Sequence, residues 1–392
     1  MGYVAIQGGE EAIAEAINLL DVLRTNDQKN DPLSSQTIEN QLHFLHSRVL
    51  SEGGLYHPEL ASLAIKQSAG DILEAAFYLR AYRSTKPRLG ETPVHHGENL
   101  RLIRRISAAF KEIPGGQMLG PTSDYLQRLF RFNLLNESPD EFRNIAQSWL
   151  KNIPDEALPT SFPKVLASLR AEGLLPPIIN KPTLPFDITR EPLIFPVSRS
   201  AALATMARAE TGSILAIAYS NMRGYGDVHP TVAELRVGYL PIMLPHPITG
   251  DLQEVGEVLM TECEIVAMYN SKDKDSVPTF GLGYGACFGH NEVKAIAMAI
   301  LDRALQKGQT QGIENPSEDP EFVLLHIDGV QSMGFASHYK MPHYVTFQSD
   351  LDRLRTTQKK QDQQGVSMDA GEAEGAGEAE GAEGAGGAGV AL

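Results

Sequence analysis

The sequence is poor in cysteine, in long apolar runs and in basic charge. Cys263 and Cys287 are its two cysteines, too few for a disulfide framework, a four-cysteine zinc site or an iron–sulfur cluster held by one chain. That usage fits a reducing compartment. No apolar run reaches the ~18 residues of a membrane span. The opening M-G-Y-V-A-I-Q-G-G-E-E has no basic stretch leading into an apolar one, so no secretory signal is expected. These absences predict a soluble, cytoplasmic protein with no membrane partner. Basic residues number 34 against 49 acidic, a formal net charge of -15. Such a field repels phosphate backbones at long range and excludes a broad nucleic-acid surface.

What the chain does have is length and apolar content. Its 392 residues, 42% apolar, can bury a sizeable core and match the size of two domains. The negative charge is unevenly spread. Residues 366–392 hold six acidic residues, eight glycines and no basic residue, with a near-repeat of G-E-A-E-G-A. Nothing there can offset the entropy of ordering its backbone, so a disordered Gly/Ala/Glu tail is expected over 358–392.

Residues 1–175 read as a mainly helical domain. Ile38, Leu42, Leu45 and Val49 recur at helical spacing up to Gly53-Gly54. His57-Pro58 opens the next helix, and Gly70 ends it. Asp71 three residues ahead of Glu74 is a capping-box arrangement, and Ser138-Pro139-Asp140-Glu141 is a stronger one. Six prolines between positions 176 and 196 predict a connector laid over the surface. Residues 176–357 then read as an α+β domain. Segments 213–219, 232–244 and 252–266 are rich in β-branched and apolar residues and are expected as strands. Segment 292–305 carries Val293, Ile296, Ala297, Ile300 and Leu301 on one face, as a helix packed on a sheet does. Strands grouped rather than alternating with helices predict an α+β fold, with a helical amino-terminal half and a mixed or antiparallel sheet with packed helices in the carboxy-terminal half.

Four features could carry chemistry. In S-H-Y-K-M-P-H, His338 and His343 are five apart, which a helix would splay by ~140°. Pro342 disfavours helix at Met341, and a loop could bring both imidazoles to one metal. Two histidines are an incomplete set for catalytic zinc, and the same spacing describes ordinary surface histidines. Glycine-rich stretches at 48–56, 113–122, 223–230 and 280–290 are either tight turns or phosphate cradles. None matches the Walker or dinucleotide pattern. Basic residues gather as Lys66, Arg80, Arg83, Lys86 and Arg88, and as Arg101, Arg104, Arg105 and Lys111. Arg101, Arg104 and Arg105 lie at helical neighbour spacing. Each group is either a solvated face paired with carboxylates or a polyphosphate clamp. In 256–266, Glu262 and Glu264 share one strand face, opposite Glu257. Two carboxylates there could bind a cation or push one pKa up for general-acid work, although an exposed face explains them equally. Cys263 between them reads as a small buried hydrophobe.

Taken together, R-V-L-S-E-G-G-L-Y, A-G-D-I-L-E-A-A-F-Y-L-R-A-Y-R, R-R-I-S-A-A-F-K-E-I-P-G-G-Q-M-L-G-P-T, R-G-Y-G-D-V-H-P, L-M-T-E-C-E and S-H-Y-K-M-P-H-Y-V resemble one family. It is the I subunit of the bacterial carbon–phosphorus lyase core complex. The resemblance runs from residue 1 to about residue 355 in order and spacing, weakest over 136–196, and leaves the acidic tail outside. It implies displacement of adenine from ATP by methylphosphonate, giving alpha-D-ribose 1-methylphosphonate 5-triphosphate, and purine nucleosidase activity in the subunit alone. It implies partners: the G, H and J subunits and an ATP-binding-cassette subunit. It also implies that His338 and His343 bind Zn2+ at a site completed by another chain or substrate. For such chemistry Glu262 and Glu264 are the catalytic candidates, as proton donor and as stabiliser of an oxocarbenium-like state. Arg48, Gly53, Gly54, Lys66, Arg104 and Arg105 are the candidates for holding the triphosphate with Mg2+. The rival expectation is a mainly architectural subunit that lends metal ligands and a docking surface to a catalytic partner.

Overall fold

The computed structural model describes residues 9–25, 31–95, 97–153, 162–177, 185–224, 229–267 and 277–365. Four strands form one antiparallel sheet in the order β1 (Arg101–Ile106), β2 (Thr231–Pro245), β3 (Leu252–Ala267) and β4 (Gly281–Phe288). Five helices precede the sheet: α1 (Glu10–Arg24), α2 (Ser35–Gln41), α3 (His43–Gly53), α4 (Pro58–Gln67) and α5 (Ile72–Ser84). Four lie between β1 and β2: α6 (Pro139–Lys151), α7 (Leu166–Ala171), α8 (Arg199–Ala207) and α9 (Thr211–Gly224). After β4 come α10 (Glu292–Gln311), α11 (Pro320–His326), α12 (Gly329–Tyr339) and α13 (Tyr344–Gly365). The expected α+β class is what the chain adopts, with no helix among the described residues long and apolar enough to cross a membrane.

The local signals set the helix ends, although Ser138, at the start of α6, makes no side-chain cap hydrogen bond. Asp71 caps α5 by accepting from Leu73 N and Glu74 N at 3.0 and 3.1 Å. Pro58 opens α4, and Gly54 stops α3 at a left-handed φ of 61°. Helices α2 to α5 enclose a core of Ile38, Val49, Leu50, Ala61, Ile65 and Leu79. A second core joins α8, α9 and α10 to one sheet face through Met206, Ile214, Leu235, Cys263, Ile265 and Leu301. Cys263 is the buried hydrophobe expected of it, and burial pushes its thiol up.

Several expectations differ from the structure. Segment 213–219 is not a strand but the start of α9, because Glu210 caps it through Gly212 N and Ser213 N at 2.8 and 2.6 Å. Arg101, Arg104 and Arg105 do not share a helix face; they lie on β1, whose partner is β2. The sheet therefore crosses the boundary expected at 175, and the break between compact units falls between Phe335 and Ala336. Residues 358–365 continue α13, while 366–392 lie outside the described residues. Within 280–290, Gly281, Gly283 and Gly285 are not a turn either, whereas Gly289 turns the chain after β4 at a φ of 76°. Gly283 and Gly285 sit in β4, where an added Cβ would collide with Ala299 O and Ala295 O of α10. Their bareness lets α10 close on the sheet.

Strand alternation gives this sheet two unlike faces. Leu235, Cys263 and Ile265 face α10. On the opposite face, register sets Arg105 against Arg236, Arg236 against Glu262, Glu234 against Glu264, and Glu264 against Tyr284. A charged layer of this kind cannot be left in a dry interior without partners.

Candidate active site

The partners come from segment 162–177, which lies over the charged face. Lys164 forms an ion pair with Glu262 and stands 3.6 Å from Glu264 Oε2. The Tyr284 hydroxyl donates to Glu262 Oε1 at 3.1 Å. Gly97 approaches so closely that a Cβ there would strike the Glu262 carboxylate. Deeper in the layer, Glu234 Oε1 accepts from Arg105 Nε at 2.6 Å and pairs with Arg236 Nε at 2.8 Å, while Oε2 accepts from Val165 N at 3.1 Å. Arg105 also donates to the carbonyls of Pro114, Gly116 and Pro163, and Arg236 to those of Gly97 and Phe162.

Glu264 is different. Its Oε2 is buried and makes no hydrogen bond among the described residues. Burial pushes its carboxyl above the ordinary range, against the pull of the Lys164 ammonium and with added repulsion from Glu262. It lines a cleft of about 500 Å3 together with Arg170, Arg199, Tyr284 and Gln306, a size that suits a small ligand. Arg199 is held by Asp302 through a fork of 2.9 and 2.7 Å. The Arg170 side chain has no hydrogen bond or ion pair among the described residues. A carboxyl with a raised pKa beside a guanidinium can protonate a leaving group while an anion is held nearby.

The other sequence-selected residues lie elsewhere. None of Arg48, Lys66, Arg104 and Arg105 lines this cleft. Arg48 is tied to Glu52 and Glu210. Arg104 is fully buried on Asp124, Glu292 and Leu119 O, and Arg105 on Glu234. Lys66 borders an apolar groove with Leu23, Ile38 and Leu45. Gly53 packs on Leu79, and Gly54 follows as the stop of α3. Asp227, in R-G-Y-G-D-V-H-P, lies outside the described residues.

Sequence reasoning missed Lys164, Arg170, Arg199 and Tyr284. For Tyr284 a signal existed: glycine at every second position, 281, 283 and 285, is a strand period with one bare face. For Lys164 and the two arginines only the tertiary fold supplies the link.

The histidine pair belongs to the second compact unit. His338 ends α12 and His343 precedes α13, and their Nε2 atoms are 3.3 Å apart. His343 Nδ1 donates to Met341 O at 2.6 Å, which leaves Nε2 available as a ligand atom. Two nitrogens each ~2.0–2.1 Å from a tetrahedral ion stand about 3.3 Å apart, a spacing that two Zn2+ ligands share with the hydrogen bond between the two imidazoles. No group of three or more His, Cys, Asp or Glu that could hold a metal occurs among the described residues.

Fold and site together define a mixed α+β protein with a cleft lined by a buried carboxyl and arginines. The chain belongs to the family described as bacterial phosphonate metabolism protein (PhnI), whose model matches residues 2–361. It is 70% identical over 361 residues to a protein of Stutzerimonas stutzeri named as the C-P lyase subunit protein HtxH, covering 92% of this chain and 97% of that one. Two relatives carry the name alpha-D-ribose 1-methylphosphonate 5-triphosphate synthase subunit PhnI. The one from Escherichia coli (strain K12) is 43% identical over 362 residues, 92% of this chain and 99% of its own. The one from Rhizobium meliloti (strain 1021) is 39% identical over 363 residues, 92% and 96%.

Proposed function

We propose that this chain, assembled with other carbon–phosphorus lyase subunits, displaces adenine from ATP with methylphosphonate to give alpha-D-ribose 1-methylphosphonate 5-triphosphate. The relatives' names support the product, and Glu264 in its cleft is the observation that carries the chemistry. A phosphonate oxygen forms a bond to C1′ as the bond from C1′ to the base nitrogen breaks. The electron pair leaves with adenine, which takes a proton from Glu264. Glu262 does not itself line the cleft. Held by Lys164 and Tyr284 beside Glu264, it adds negative charge behind the lining that favours the positive charge developing on the ribose. Arg170 and Arg199 hold an anionic end of the substrates, with Mg2+ on the triphosphate. In the subunit alone, water takes the place of the phosphonate, a purine nucleosidase reaction. The measurement is adenine release from ATP and methylphosphonate by the assembled complex; no release overturns the reading.

The same reading makes the chain a partner of the G, H and J subunits and of an ATP-binding-cassette subunit. The exposed apolar side chains Tyr125, Leu129, Phe130, Phe132 and Trp149 favour such docking, and also the second reading, a mainly architectural subunit. Adenine release by the chain alone separates the two. His338 and His343 would hold Zn2+, which when bound would polarise an oxygen ligand. Replacing both by alanine removes the two imidazoles this chain offers, so zinc in the purified complex, measured by elemental analysis, falls to near background. Unchanged zinc content would remove the pair from the metal site.

A further inference from the structure

Three guanidiniums meet where α5 passes the end of α8. Arg80 and Arg83 are three apart on α5 and share a face, and Arg208 closes α8. Arg80 is fully engaged. It donates through Nη1 to both oxygens of Asp328 at 2.7 and 2.8 Å, through Nε to Glu52 O at 2.9 Å, and through Nη2 to Arg208 O at 2.9 Å. The side chains of Arg83 and Arg208 make no hydrogen bond or ion pair among the described residues, and the Nε of each is buried. The stem of Arg208 lies against Gly54, where a Cβ would stand 3.2 Å from Cδ.

The electrostatics agree with the geometry. The Arg208 guanidinium is pushed down to about 10, first by burial and then by Arg80, with Asp328 opposing and Arg83 adding to the push. Arg83 is lowered in the same way, by burial and then by Arg80. The carboxylate nearest in effect to Arg83, Asp187, is taken by Arg88 at 2.6 Å. Free arginines that repel one another would turn into solvent, where their charge is screened. These two stay half-buried with donors unfilled, an arrangement that an anion with several oxygens would complete.

We propose that Arg83 and Arg208, backed by Arg80, bind a phosphate-type oxyanion, either free phosphate or the end of a polyphosphate chain. Two guanidinium forks offer more donors than one carboxylate can accept, and they match a tetrahedral dianion with three or more free oxygens. None of the three lines the Glu264 cleft, so this site does not depend on adenine displacement.

The test is arginine modification of the full chain by phenylglyoxal, read by mass spectrometry. Inorganic phosphate or ATP should slow modification of Arg83 and Arg208 at least about tenfold, which is about 1.4 kcal/mol. Exposed Arg143 on α6 should be unaffected. Protection by ATP at lower concentration than phosphate assigns the site to a polyphosphate end, and equal or better protection by phosphate assigns it to the free oxyanion. If neither anion protects, or Arg143 is protected equally, the proposal is overturned. In calorimetric titration with phosphate, the double variant R83Q/R208Q should bind at least about tenfold more weakly than R143Q. A folded double variant with unchanged affinity also overturns it, and if that variant does not fold, protection in the unaltered chain decides.

Discussion

Glu234→Gln is expected to lower stability by about 3–5 kcal/mol, the cost of removing one partner from a buried ion group. The substitution keeps the volume and removes only the charge. Among the described residues, Glu234 is the one carboxylate that forms ion pairs with both Arg105 and Arg236, and all three side chains are 0–1% exposed. Without it, two desolvated guanidiniums remain with backbone carbonyls and, for Arg105, the Phe162 ring. Domain stabilities are about 5–15 kcal/mol, so the loss consumes about a fifth or more. Glu257→Gln is the contrast. Its partner Arg101 is 63% exposed, and pairs of that kind contribute about 0–1 kcal/mol. Urea unfolding of the two variants beside the unaltered chain decides. A Glu234→Gln loss no larger than that of Glu257→Gln would mean that the buried layer is not held by its ion pairs.

That layer also shows where sequence reasoning stopped. Caps and stops are local, so the ends of α3, α4 and α5 were legible in Gly53-Gly54, Pro58 and Asp71. The β2–β3 hairpin was legible as two long β-branched runs. R-L-I-R-R-I was not, because a strand with three arginines breaks the apolar–polar pattern unless its partners are known. Those partners include Asp124, Glu234, Glu257 and Glu292, all distant in the chain apart from Asp124. Segment 213–219 failed for a different reason. Short apolar runs suit helix and strand alike, and the arbiter was a glutamate cap, a residue type weaker at that position than Ser or Asp. At the candidate site, the strand period correctly placed Glu262 and Glu264 on one face. Their difference in environment comes from Lys164 and Tyr284, which no spacing in β3 encodes. The arginines chosen for the triphosphate were selected by density along the chain, and density does not tell a buried counter-ion from a free one.

Glu264→Gln is expected to reduce adenine release by the assembled complex about 10²–10⁴-fold, the usual contribution of a positioned general acid. Glutamine fills the same space in the cleft and cannot give up a proton. The pH dependence carries the sign. Burial raises the Glu264 carboxyl, so the acid form is present at low pH and is lost as pH rises through that raised value. The unaltered complex therefore loses activity on the alkaline side, and the variant loses this limb. Lys164→Met moves it further. The ammonium 3.6 Å from Glu264 Oε2 favours the ionised form, so without it the carboxyl holds its proton to higher pH and the alkaline limb shifts upward. A downward shift would contradict the assignment. So would a Glu264→Gln complex with undiminished rate, or with its alkaline limb intact. In either case the proton for adenine comes from another group, and Glu264 is only part of the buried charge layer.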